Sequence, residues 1–82
     1  MIVKIKVQDD KGQGLEGLAV MLTGCGSHPA ITGANGLVQF LKDDGIPTVT
    51  VTIGGTAAWT GPSAELRADE VFEKTDSGFA RR

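Results

Sequence analysis

Tyrosine is missing from this 82-residue chain, and cysteine and histidine occur once each, as Cys25 and His28. A single cysteine forms no disulfide within the chain, which excludes the stapled mini-domains that small secreted proteins use in place of a large core. Aromatic residues make up only 5% of the sequence, too few for the stacking platforms that hold single-stranded nucleic acid. The net charge is −2 and the lysines and arginines are scattered, so binding by phosphate neutralisation is not expected. No apolar run approaches the roughly 18 residues that cross a bilayer as a helix. The first seven residues alternate instead of forming the apolar stretch of a secretory signal. The expectations are a cytoplasmic protein if Met1 is the native start, and otherwise a domain of a larger surface protein. Neither nucleic acid nor membrane is an expected partner, and no cofactor is implied.

What is present is turn chemistry and β-branched alternation. Twelve glycines and three prolines in so short a chain predict many turns. Residues 2–8 alternate, with Val3, Ile5 and Val7 on one face and Lys4, Lys6 and Gln8 on the other, the period of a half-buried strand. Residues 48–53 read Thr-Val-Thr-Val-Thr-Ile, β-branched throughout and the clearest strand of all. Further strands are predicted over residues 18–23, with Val20 and Leu22 inward, over 31–32, over 37–41, with Val38 and Phe40 inward, and over 56–60. Asp9-Asp10-Lys11-Gly12 supplies turn chemistry, and Leu15 is the expected plug beneath the loop that follows. Asn35-Gly36 is the strongest hairpin signal, and Gly54-Gly55 turns the chain again. Residues 64–72 suit a last strand, although residues 64–70 also contain good helix formers. Turns every ten residues or so between short strands mark an all-β sandwich or small barrel. Residues 1–72 form that domain, and residues 73–82 read as a carboxy-terminal tail. A chain this short buries only about 60% of the surface its unfolded form exposes, so the core is marginal and a partner is a natural complement.

The order of these signals carries a resemblance. Val3-Lys4-Ile5-Lys6-Val7-Gln8-Asp9 is followed by Gly14-Leu15-Glu16-Gly17 and Val20-Met21-Leu22-Thr23-Gly24. Then come Thr32-Gly33-Ala34-Asn35-Gly36-Leu37-Val38-Gln39-Phe40 and the alternating segment 48–53. This plan resembles the carboxypeptidase-regulatory-like domains, which share the transthyretin-like sandwich. It is also similar to bacterial Ig-like domains of the invasin and intimin type. The resemblance covers about two-thirds of the chain. It departs from the pattern at Gly33, where an aspartate is usual, and in the carboxy-terminal third. It implies an antiparallel Ig-like or transthyretin-like β-sandwich of about seven short strands, used as a spacer, stability or docking module. The hydroxyisourate hydrolase of the transthyretin-like group relies on several histidines and a carboxy-terminal Tyr-Arg-Gly-Ser. With His28 alone and no tyrosine, that activity is not expected.

Alternating strand directions would gather the loops at residues 24–30, 42–47 and 60–63 at one end of the sandwich. Asp9, Asp10, Asn35 and Gly54-Gly55 would lie at the other. Cys25 and His28 are soft-metal donors three residues apart. A zinc site would need Asp43 or Asp44, or a second chain, to complete it, and an ordinary loop with an incidental thiol explains the pair with fewer assumptions. The aspartate pairs 9–10 and 43–44 are likewise explained as turn formers before calcium ligands, since calcium asks for six to eight oxygens. Trp59 reads equally as a core aromatic and as an interface anchor, a role in which tryptophan is enriched.

The resulting expectation is a non-catalytic binding or structural module, an accessory subunit or appended domain that docks on another protein or on itself. Its expected contact residues are Trp59, Pro62, Phe79, Arg81 and Arg82. Two alternatives stand beside it: a metal-binding domain built on Cys25 and His28 with Asp43 and Asp44, and a cell-surface adhesion repeat.

Overall fold

The computed structural model describes residues 2–23, 29–42 and 45–82. In chain order the strands are β1 (Ile2–Gln8), β2 (Ala19–Leu22), β3 (Ala30–Ile31), β4 (Leu37–Leu41), β5 (Thr48–Ile53), β6 (Thr56–Pro62), β7 (Asp69–Thr75) and β8 (Gly78–Arg81). One 3-10 turn, Ser63–Glu65, joins β6 to β7. Two four-stranded sheets result, ordered β4-β1-β7-β8 and β3-β2-β5-β6. Among the described residues no helix is long and apolar enough to cross a membrane.

Alternation in the sequence becomes a shared apolar layer. Val3, Ile5 and Val7 of β1 and Val49, Val51 and Ile53 of β5 are buried, and they join Val20, Leu22, Val38, Phe40, Leu66 and Phe72 in one core cluster. The polar residues between them face outward because successive side chains on a strand point to opposite faces. Leu15 packs against the rim of this core as expected. It is held there by Thr32, whose hydroxyl donates to the Leu15 carbonyl at 2.6 Å and accepts the Leu18 N–H at 2.9 Å. Gly54 and Gly55 both adopt positive φ, at 60° and 86°, the backbone that a two-residue hairpin between right-twisted strands requires.

The structure departs from the expected plan in four places. The sandwich is not purely antiparallel, because β1 pairs in parallel with β7, Ile5 opposite Glu70 and Val7 opposite Phe72. After β6 the chain crosses between sheets and enters β7 beside the start of β1, where the Lys4 N–H donates to the Ala68 carbonyl at 2.8 Å. Two strands entering from the same end run parallel, and only a long crossover can connect such a pair. The Asn35-Gly36 turn is closed by the Gly36 N–H on the Gly33 carbonyl at 2.9 Å. It carries the chain from one sheet to the other, since β3 and β4 belong to different sheets, so it is not the turn of a paired hairpin. The helix-forming run after residue 63 amounts to one 3-10 turn. It ends at Leu66, which has extended backbone (φ −79°, ψ 115°) and is buried in the core. Burial of that leucine and the pairing of β7 outweigh helix propensity. Finally, residues 73–82 are no loose tail: β7 runs to Thr75, and β8 pairs back on it with Thr75 opposite Gly78 and Phe72 opposite Arg81.

Candidate functional site

Two regions of the molecule hold features that the core does not require. The first lies where β6 and β8, edge strands of opposite sheets, come together. Register places Glu70 on the inner face of β7, in phase with Phe72. Its side chain is 0% exposed, which is costly for a carboxylate unless it is fully paired. The pairing is complete. Arg67 approaches with its backbone N–H at 2.7 Å, Nε at 3.3 Å and Nη2 at 2.9 Å. Arg81 approaches with Nε at 3.0 Å and Nη2 at 2.8 Å. Burial by itself would raise the Glu70 pKa, but the hydrogen bonds from Arg81 and Arg67 outweigh it and hold the group down at about 2. The carboxylate is therefore charged across the physiological range.

Arg81 also donates to the Glu65 carbonyl at 2.6 Å, and its Cζ lies 4.7 Å from the centroid of the Trp59 ring. This stacked cation–π arrangement is favoured by the negative ring face. The indole in turn lies over Gly61, where a Cβ would come within 2.7 Å of the ring. A side chain at position 61 is thus excluded by Trp59. Arg82 completes the closure: its N–H donates to the Val71 carbonyl at 2.8 Å, its own carbonyl accepts from Arg67 Nη2 at 2.8 Å, and its guanidinium pairs with Glu73 at 2.9 Å.

The expected contact residues thus converge on one side of the molecule, yet most are engaged within the chain. Trp59 and Arg81 hold each other, Phe79 packs against the core, and Arg82 is paired with Glu73. Pro62 ends β6 and is exposed. The residues that organise this cluster, Glu70 and Arg67, were not among those expected. The available signal was a glutamate two residues before an inward phenylalanine, an acid standing in an apolar phase.

The second region is β4. Of the four edge strands, β3 has only two residues and flanks the Leu37 end of β4, where the Gly33 N–H donates to the Leu37 carbonyl at 3.2 Å. β6 carries a register shift opposite Val51/Thr52 and ends in Pro62, and β8 carries Arg81. Bulges, prolines and charges of this kind blunt an edge against added strands. β4 reads Leu-Val-Gln-Phe-Leu and has none of them. Its outward residues Leu37 and Leu41 are 48% and 72% exposed, and Ile2, paired with Leu41 in the adjacent strand, is 50% exposed. A shallow groove of about 310 Å³ lined by Lys4, Leu37, Val38 and Gln39 runs beside it. The sequence signal was apolar residues on both faces of one strand.

Of the loops expected at one end of the sandwich, the described residues of 42–47 meet the chain at the end of 60–63, while most of the 24–30 loop lies outside the described residues. Lys42 Nζ donates to the Ser63 carbonyl at 2.7 Å, and the Ser63 N–H donates to the Pro47 carbonyl at 2.9 Å. At the other end the Asp9 carboxylate accepts the N–H groups of Lys11 and Gln13, both at 2.9 Å, which lowers its pKa and matches the turn-forming role. Cys25, His28, Asp43 and Asp44, the expected ligands of the metal alternative, lie outside the described residues. Among the described residues no group of three or more acidic, cysteine or histidine side chains is placed to hold a metal ion. Comparison with family models, with curated proteins and with solved structures returns no match to this chain.

Proposed function

We propose that this chain is a non-catalytic β-sandwich module of the immunoglobulin-like or transthyretin-like kind, an accessory subunit or appended domain that docks on another protein by receiving an extended strand along β4. The observation that carries this reading is the contrast between β4 and the other edges. It alone combines five strand residues, no charge, proline or bulge, and exposed leucines on its outer face. Strand addition takes its affinity from main-chain hydrogen bonds and its specificity from alternate side chains. The matching segment has apolar residues beside Leu37 and Leu41 and an acidic residue beside Gln39, which stands opposite Lys4 in the register of β1 and β4. The sole histidine and the absence of tyrosine argue against the hydroxyisourate hydrolase activity of the transthyretin-like group. The order of strand and turn motifs supports the named fold kinship.

The test is a comparison of wild type with a Leu37→Lys/Leu41→Lys double variant in co-purification from the native host. Charged edges repel added strands, so the variant should remain folded by circular dichroism and lose the stoichiometric partner. Equal recovery of the same partner by both proteins would sink the β4 reading.

A further inference from the structure

At the opposite edge of the same sheet, β8 is attached in an unusual way. None of its four residues is buried, whereas β1 and β5 each contribute three fully or almost fully buried apolar side chains. What fastens β8 is polar and aromatic: Arg81 on Glu70, on the Glu65 carbonyl and on Trp59, Arg82 on Glu73, and the Arg82 N–H on Val71. To these are added its pairing with β7, the partial packing of Phe79 and the hydrogen bond from Arg67 Nη2 to the Arg82 carbonyl. Three of the attachments meet in Arg81, whose strongest partner is the buried Glu70 carboxylate, while the contacts of Arg82 fasten the end of the strand separately.

We propose that β8 is a releasable strap: a strand secured by the Glu70 ion cluster and the Arg81–Trp59 stack, which detaches as a unit while the core stays folded, uncovering Trp59 and the β7 edge. Segments with few buried apolar contacts open at free energies below that of global unfolding. The Glu70 cluster decides how often this one opens. The inference does not depend on β4, which lies at the far edge of the sheet.

Native-state hydrogen exchange on the full chain reads this directly. In wild type the Arg82 amide, bonded to Val71, and the β7–β8 ladder amides should exchange roughly tenfold or more faster than the ladder amides of β1 and β5. In Glu70→Gln the ratio between the two groups should widen by about a further tenfold, and iodide quenching of Trp59 should rise with it. Should Glu70→Gln not fold, Arg82→Ala removes one fastening at the surface, and the ratio should still widen by a few-fold. A common exchange rate for β8 and β5 amides in wild type, or a ratio that ignores the substitutions, would overturn the proposal.

Discussion

The guanidinium of Arg81 lies over the ring of Trp59 at 4.7 Å while donating two hydrogen bonds to the buried carboxylate of Glu70. One side chain thus joins β8 to β6 across the gap between the sheets and to β7 within its own sheet. Charge, stacking and burial meet at a single residue, so substitutions there should be felt on both sides of the sandwich.

Arg81→Ala should destabilise the fold by on the order of 3 kcal/mol, because it leaves Glu70 buried with half of its partners. It should also shift Trp59 fluorescence toward the red as water reaches the ring. Arg81→Lys keeps the charge but not the planar fork, and should fall between wild type and alanine in urea unfolding. Equal midpoints for all three proteins would show that the cluster contributes nothing.

Acid should weaken the fold through Glu70. Its folded pKa, about 2, lies below the ordinary glutamate value of 4.5. A depressed carboxylate contributes stability that is fully present above the unfolded value and is lost as the pH falls through the folded one. Unfolding free energy should therefore decline from about pH 4.5 toward pH 2. In Glu70→Gln that part of the slope should disappear. Urea titrations at a series of pH values check this.

Glycine 61 should not tolerate a side chain. Gly61→Ala drives a methyl into the indole of Trp59, an overpacking that costs about 1–3 kcal/mol or forces the ring off Arg81. Gly33→Ala is the control, since a Cβ there meets nothing within 4 Å and its φ is not positive. It should leave thermal stability nearly unchanged.

Two leucines of equal size should behave oppositely. Leu66 is 2% exposed and belongs to the core, so Leu66→Ala should cost about 2–5 kcal/mol. Leu41 is 72% exposed, so Leu41→Ala should stay within about 0.5 kcal/mol of wild type. Its effect should appear instead in partner capture.

Much of this architecture is legible in the order of residues because strands write their burial into a period of two. Val3, Ile5, Val7, Val49, Val51 and Ile53 are inward in the alternation and buried in the fold, and Gly54-Gly55 turns as its chemistry requires. The site was legible only in fragments. Trp59, Phe79, Arg81 and Arg82 stand out by residue type, but nothing local says that Arg81 seats on Trp59, 22 positions away. Glu70 announces itself only as an acid in phase with Phe72, a signal that gains meaning once Arg67 and Arg81 surround it.

The amino-acid order by itself determined the all-β character and, for β1, β2, β4 and β5, the strand and its inward face, since these follow from neighbours two residues apart. Only the tertiary structure decided which strands are partners, that β1 and β7 run parallel, that the last ten residues extend and close a sheet, and that among the described residues β4 stands at a sheet edge. Those outcomes depend on residues far apart in the chain meeting across a common core, and alternation within one strand carries no record of which other strand it will meet.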